Sequence, residues 1–203
     1  MKLIEIIAKY GLTTTIKKAM QVAISKIKYG RNIRIIKSCP RIIRIGDIFF
    51  GEKFTAGIDI RLESLAEESI INFGKNVKIN DYCHIGAITS ITIGDDCLIG
   101  SRVTIVDHEH GFYGNHSKDS LTPSHPDTPP DARPLSGAPI VIEQNTWIGE
   151  GAVILAGVKI GKGCIIGANA VVTRDIPPYS IAVGIPAKII KVFNEETGSW
   201  EKA

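Results

Sequence analysis

Isoleucine recurs every six residues in two blocks of this 203-residue chain. Ten of twelve repeat positions are Ile; the positions are 73, 79, 85, 93, 99 and 105, then 142, 148, 154, 160, 166 and 172. Gly follows in seven cases, and the fifth residue of the hexamer is small or β-branched in ten. A fixed short period predicts a solenoid. We expect one short strand per hexamer, Ile inside, and Gly at corners for unusual backbone angles. Three hexamers then close one coil of a parallel β-helix.

The repeat is interrupted in ways that divide the chain. Its register slips by two residues near Ile91, and it stops between 110 and 142, where residues 111–141 hold six prolines. A long excursion from a regular solenoid is often functional. We therefore predict a helical N-terminal segment over 1–44, a β-helix domain over 45–185 with its excursion at 111–141, and a cap and tail over 186–203.

The N-terminal segment is strongly basic although the whole chain carries a net charge of only +3. Residues 1–44 hold eleven Lys or Arg and one acid, Glu5. Apolar residues alternate with the lysines at helix-like spacing: Leu3, Ile4, Ile6, Ile7, Ile16 and Met20. Three interpretations remain open: a helix packed on the body with solvated lysines, contact with an anionic membrane surface, or nucleic-acid binding. The arm has no recognised nucleic-acid motif, and we expect no such partner.

The chain lacks the marks of membrane insertion or export. Charges interrupt every apolar stretch well before the ~18 residues of a transmembrane helix, and the N-terminus shows no secretory signal pattern. We predict a cytoplasmic protein, with peripheral attachment at the inner membrane as a further hypothesis. Three of the four cysteines, Cys83, Cys97 and Cys164, occupy the small fifth position, which indicates packing rather than chemistry.

Histidines concentrate before the excursion. The segment Asp107-His108-Glu109-His110-Gly111 is the densest polar stretch of the body and breaks the small-residue rule at Glu109. A neutral imidazole suits a general base near pH 7. A metal site and a surface turn without a role are the alternatives, although the spacing of His84 and His110 supplies no obvious third metal ligand.

Several segments resemble one family. They are the stretch around Trp147-Ile148-Gly149, the run ending in Pro177-Pro178 and the end Gly184-Ile185-Pro186-Ala187-Lys188. These segments are similar to the hexapeptide-repeat acetyltransferases that include maltose and galactoside O-acetyltransferases. The Asp107-His108-x-His110-Gly111 motif with Arg133-Pro134-Leu135 resembles the lipopolysaccharide and capsule O-acetyltransferases. The resemblance covers about 45–191 and implies a left-handed parallel β-helix, a homotrimer and sites between subunits.

The resemblance also implies the chemistry, a transfer of acetyl from acetyl-CoA to a sugar hydroxyl without a metal. It assigns His110 as general base, and a backbone N–H near Glu150 as oxyanion donor. His108 is a second catalytic candidate. The sugar contact falls on Asn80, with His84 and Arg133 as further substrate candidates. The expected coenzyme contacts are Trp147, Glu150, Ala168, Thr173, Arg174, Lys188 and Lys191.

Three other functions stay open at this point. An N-acetyltransferase acting on an amino sugar or an antibiotic has the same fold and donor. A β-helix metalloenzyme similar to carbonic anhydrase uses histidines at subunit edges. A catalytically silent solenoid used for binding is the third. Acceptor preference, bound zinc and acetyl-CoA binding distinguish them.

Overall fold

The computed structural model describes residues 3–37, 40–113 and 124–203. Two helices, α1 (Leu3–Tyr10) and α2 (Leu12–Tyr29), precede a parallel β-helix with three sheet faces. Cys39 and His116 lie outside the described residues.

The first face contains nine strands, of which the last two are antiparallel. They are β1 (Ile35–Ile36), β4 (Thr55–Ala56), β7 (Lys78–Ile79), β10 (Leu98–Ile99), β15 (Trp147–Ile148), β18 (Ile165–Ile166), β20 (Ser180–Val183), β21 (Lys188–Asn194) and β22 (Ser199–Lys202). The strands β21 and β22 form a hairpin over the predicted cap and tail.

The second face contains six parallel strands and the third contains five. The second face is β2 (Arg41–Arg44), β5 (Arg61–Ser64), β8 (His84–Ala87), β11 (Thr104–Val106), β16 (Val153–Ile154) and β19 (Val171–Val172). The third face is β3 (Asp47–Phe50), β6 (Ile70–Phe73), β9 (Ser90–Ile93), β14 (Ile140–Ile142) and β17 (Lys159–Ile160).

The repeat isoleucines form the core, as the period predicts. Ile79, Ile99 and Ile148 stack in register on the first face, and all are essentially inaccessible to solvent. The equivalent positions on the second face are Ile85, Ile105 and Ile154. Each in-register stack removes a continuous apolar column from water, which stabilises the solenoid coil by coil.

The repeat glycines serve close stacking rather than unusual backbone angles, which corrects the reason expected from sequence. A Cβ atom at Gly100 would lie 2.6 Å from the backbone nitrogen of Glu150, and one at Gly149 would lie 2.6 Å from that of Ala168. The left-handed corner conformations belong instead to other residues, among them Asn76 and Asn145, with φ of 56° and 59°. Glycine is therefore needed where the next coil's backbone passes.

The cysteines of the repeat are buried free thiols. Burial raises the pKa of Cys83 and of Cys97 to about 11, so both remain protonated at neutral pH. A protonated, enclosed thiol is a poor nucleophile, which agrees with a packing role.

The helix α2 covers the open end of the solenoid. The hydroxyl of Ser25 accepts a hydrogen bond from the Ile36 amide (2.9 Å) and lies 3.1 Å from the Ile36 carbonyl oxygen. The backbone amide at the edge of β1 therefore has a helix side chain as its hydrogen-bond partner. Because β1 and β2 already belong to the solenoid, its first coil begins within the predicted N-terminal segment 1–44.

Candidate active site

A short antiparallel ladder holds the root of the excursion. The strand β12 (His108–His110) pairs with β13 (Leu135–Gly137), which places His110 opposite Leu135. The His110 side chain is exposed, and its imidazole has no hydrogen-bond partner among the described residues. Its backbone carbonyl accepts a hydrogen bond from the Tyr113 hydroxyl. The backbone is fixed while both ring nitrogens stay available to a ligand.

Arg133 organises the same loop. Its guanidinium donates hydrogen bonds to the Tyr113 hydroxyl oxygen (2.9 Å) and to the carbonyl oxygens of Thr128 (2.8 Å) and Pro126 (2.9 Å). All three nitrogens therefore have partners within the loop. A substrate contact by Arg133 stays a prediction, and its observed bonds connect the excursion through Tyr113 to His110.

Asp107 and His108 form a buried carboxylate–imidazole pair. The Asp107 side chain is fully buried, and its Oδ1 lies 3.1 Å from Nδ1 of His108. The carboxylate also accepts hydrogen bonds from the amides of Ile88 and Thr89 (2.8 Å each) and from the Thr89 hydroxyl (2.6 Å). Burial opposes ionisation, but these hydrogen bonds outweigh it and lower the pKa of Asp107. An ionised Asp107 orients the His108 ring.

The Asp107 carboxylate also binds the corner between β8 and β9, where the hexamer register slips by two residues. The strands β8 and β9 are joined by a corner that contains Ile88 and Thr89, and Asp107 of the following coil binds both of their amides. Both backbone amides of this extra corner therefore find a hydrogen-bond acceptor in one carboxylate of the next coil.

A second carboxylate–imidazole pair lies on the neighbouring coil. The Glu63 side chain is 2% exposed; its Oε2 lies 3.0 Å from Nε2 of His84, and its Oε1 lies 2.6 Å from Nε of Arg61. Burial opposes ionisation of Glu63, but the hydrogen bonds from Arg61 and His84 lower its pKa overall. Burial also lowers the pKa of His84, and the positive charge of Arg61 adds to this against the opposing effect of Glu63. His84 is therefore neutral near pH 7.

Three other predicted residues share one corner of the solenoid. On the first face, Asn80 directly follows β7. Glu150 is the second residue after β15, and Ala168 is the second residue after β18. All three are exposed. The Glu150 carboxylate pairs with Arg102. The Glu150 amide has no hydrogen-bond partner in the part of the chain that the structure describes, so it is available as a donor.

The remaining coenzyme candidates lie on the upper coils. Trp147 is half exposed and stands in register between Leu98 and Ile165. Lys191 is the β21 partner of Ile181, which extends that row. The other exposed candidates are Thr173, Arg174 and Lys188. Within the described ranges, Arg174, Lys188 and Lys191 form no ion pair.

The structure thus groups the predicted residues into two sets. His84, His108 and His110 lie on the second face and at the adjoining root of the excursion, whereas the coenzyme candidates follow the first face and the upper coils. Sequence reasoning missed Glu63 and Tyr113. The only available signal for Glu63 was an acid at an outward strand position, and such positions are commonly occupied by solvated charges.

Comparisons with known proteins identify the family. Residues 139–174 match the family model "Bacterial transferase hexapeptide (six repeats)", and residues 90–111 match "Hexapeptide repeat of succinyl-transferase". The chain is 43% identical over 201 residues to WbbJ of Escherichia coli K12, by name a lipopolysaccharide biosynthesis O-acetyl transferase; the match covers 99% of this chain and 100% of WbbJ. This chain belongs to the hexapeptide-repeat acetyltransferases.

Solved structures of this family of acyltransferases share the fold. A galactoside acetyltransferase in complex with coenzyme A is 30% identical, with a TM-score of 0.52 over 70% of this chain and 67% of that one. A maltose O-acetyltransferase from Clostridium difficile 630 is 29% identical, with a TM-score of 0.56 over 72% of this chain and 71% of that one. The predicted β-helix of a hexapeptide-repeat acetyltransferase is confirmed.

No group of three or more His, Cys, Asp or Glu side chains is placed to hold a metal ion within residues 3–37, 40–113 and 124–203. The three histidines of the site instead have carboxylate partners or free ring nitrogens. That arrangement suits proton transfer and hydrogen bonding.

Proposed function

We propose that this hexapeptide-repeat acetyltransferase transfers acetyl from acetyl-CoA to a sugar hydroxyl of lipopolysaccharide, a capsule polysaccharide or their precursor. The observation that carries the proposal is the identity to WbbJ along essentially the whole chain, including the segment that holds the histidines. The coenzyme held by the galactoside acetyltransferase structure supports acetyl-CoA as the donor.

In this proposal His110 is the general base. It takes the proton of the sugar hydroxyl while the oxygen bonds to the thioester carbonyl carbon. The carbon–sulfur bond then breaks, and His110 returns the proton to the departing thiolate. The exposed imidazole and the fixed backbone of β12 suit this role. The unpartnered Glu150 amide is suited to stabilise the oxyanion that develops on the carbonyl oxygen.

The remaining exposed candidates bind the coenzyme. Arg174, Lys188 and Lys191 provide cations for its phosphates, since none of them is neutralised by a neighbouring carboxylate among the described residues. Trp147 offers an exposed ring on the first face, in the row that Ile165, Ile181 and Lys191 continue. The histidines lie on the second face and at the root of the excursion, whereas Trp147, Lys188 and Lys191 lie on the first face. We therefore propose that neighbouring subunits of a homotrimer complete each site.

Acceptor-dependent release of coenzyme A tests the proposed function. We expect release from acetyl-CoA in the presence of sugar and lipid-linked glycan acceptors, with an acetyl group in the product that mild alkali removes. Esters are cleaved by this treatment and amides survive it. An alkali-stable product would identify an amine acceptor, and failure of the protein to bind acetyl-CoA in a calorimetric titration would contradict the transferase proposal.

Attachment to an anionic membrane surface through α2 is a further part of the proposal. No described helix is long and apolar enough to cross a membrane. Yet Leu12, Ile16, Met20 and Ile24 form a stripe at four-residue spacing with exposures of 50% to 59%, and Ile27 is 86% exposed. The lysines of the helix are Lys17, Lys18, Lys26 and Lys28. An apolar stripe beside cations matches an anionic lipid surface.

Vesicle flotation tests this attachment. The full chain is expected to float with phosphatidylglycerol-containing vesicles. The Ile16→Glu, Met20→Glu double variant is expected to lose at least about tenfold in bound fraction, because both changes remove apolar area that the lipid would cover and add repulsive charge. Lys75→Glu, on an exposed corner of the β-helix, is the control for charge alone. Equal flotation of the double variant would contradict the attachment. Dissociation of the oligomer in the double variant would assign the stripe to a second copy of the chain instead.

A further inference from the structure

Two buried carboxylates each fix an imidazole on the same face of the solenoid. Asp107 holds His108, and Glu63 holds His84. Glu63 lies on β5, His84 lies on β8, and β11 ends directly before Asp107. These three strands are consecutive in the parallel sheet, with Glu63 opposite Gly86 and Gly86 opposite Val106. The proposed general base, His110, follows His108 by two residues.

Gly86 lets the two rings approach each other. A Cβ atom at this position would lie 3.2 Å from Nε2 of His84 and 3.6 Å from Cε1 of His108. Any side chain at Gly86 would therefore meet both imidazoles. With a bare backbone beneath them, the rings lie over the same point of the face, and one small ligand ring is able to reach both.

The hydrogen bonds determine which ring nitrogens remain free. Neutral His84 donates its Nε2 proton to the ionised Glu63, which leaves a lone pair on Nδ1. Because Nδ1 of His108 donates to the ionised Asp107, the neutral tautomer of His108 that fits this contact carries its lone pair on Nε2. Neither free nitrogen has a partner among the described residues, and no unpartnered side-chain nitrogen in that part of the chain is buried. Both lone pairs are therefore accessible.

We propose that Nδ1 of His84 and Nε2 of His108 accept hydrogen bonds from two hydroxyls of the acceptor sugar, with Glu63 and Asp107 as positioning residues. The inference rests on the proposed function and names its substrate class: an uncharged sugar ring with free neighbouring hydroxyls besides the one that is acetylated. Two fixed acceptors select for donors, and they repel carboxylate or phosphate oxygens. Arg61 does not reverse this preference, because its charge is paired with Glu63.

Two substitutions of His84 separate the acceptor contact from the contact with Glu63. His84→Gln places an amide near the position of Nε2 and removes the group at Nδ1. His84→Asn places an amide near Nδ1 and removes the contact with Glu63. We expect His84→Gln to raise the KM for the acceptor by about tenfold, the usual cost of one neutral hydrogen bond, with kcat within about threefold. His84→Asn is expected to restore part of that loss.

The acceptors are the methyl glycosides of glucose, galactose, mannose and rhamnose, with monodeoxy derivatives of the one that binds best. One derivative lacks the hydroxyl that donates to Nδ1 of His84. With that derivative the hydrogen bond is already absent, so His84→Gln should raise the acceptor KM no further. Equal effects of His84→Gln on the parent glycoside and on every derivative would overturn the inference. Saturation-transfer NMR with coenzyme A present gives the same comparison without turnover.

The two proposals fail in different ways. A wild-type protein that binds acetyl-CoA but none of the four glycosides would contradict the paired-imidazole site and leave the acetyltransferase function standing. A protein that binds glycosides and ignores acetyl-CoA would contradict the proposed function. An acceptor KM that stays at the wild-type value in both His84 variants would also overturn the inference.

Discussion

Replacement of His110 by Ala is expected to lower the rate of acetyl transfer by about 10²–10⁴-fold, the usual contribution of a positioned general base. Without the imidazole, the attacking sugar hydroxyl loses the base that is proposed to take its proton as it bonds to the thioester carbon. The affinity for acetyl-CoA should not change, because the proposed coenzyme contacts lie on other elements. Initial rates of coenzyme A release and calorimetric titration of acetyl-CoA provide the two measurements.

Two further histidine variants make the assignment specific. His125 lies in the same excursion, and its side chain is 73% exposed beside Asp127, so His125→Ala should retain wild-type activity. His108→Ala should act mainly through the KM for the acceptor. If His108→Ala abolishes transfer and His110→Ala does not, the base is His108, and its pairing with Asp107 would then activate the catalytic ring.

The architecture was predictable because a single period determines both strand spacing and core composition. Each Ile of the repeat recurs at the same point of a coil, so stacking its strands in register buries every such Ile at once. The β-helix follows from that pattern together with the family resemblance. The site was only partly predictable, because its residues were identified by a motif that marks their position along the chain and not their partners.

The partners depend on stacking between coils, which no local pattern encodes. Asp107 and Glu109 are two acids that flank one histidine in sequence, yet Asp107 is buried and Glu109 is exposed. Glu63 reaches His84 only because β5 and β8 are adjacent strands. The apolar residues of α2 were equally ambiguous, since a helical stripe indicates burial without naming the surface that covers it. The structure leaves that stripe exposed.

The substitution Asp107→Asn is expected to lower the free energy of unfolding by about 2–3 kcal/mol at pH 7, the cost of one unsatisfied buried donor next to a lost charge. Four donors converge on the two carboxylate oxygens. An amide presents one oxygen, so its NH2 group would face the amide of either Ile88 or Thr89. Urea denaturation at a fixed protein concentration measures the loss, and Asp127→Asn is the control because Asp127 is 93% exposed.

The pH dependence of this loss follows from the direction of the pKa shift. Because the pKa of Asp107 is lowered in the folded protein, its stabilisation is fully present above the unfolded-state pKa of about 3.9 and is lost as the pH falls through the folded-state value. The difference between wild type and Asp107→Asn should therefore shrink as the pH falls below about pH 4. A difference that is independent of pH would show that Asp107 acts through packing rather than charge. If Asp107→Asn lowers the free energy of unfolding no more than Asp127→Asn does, Asp107 does not anchor the corner formed by Ile88 and Thr89.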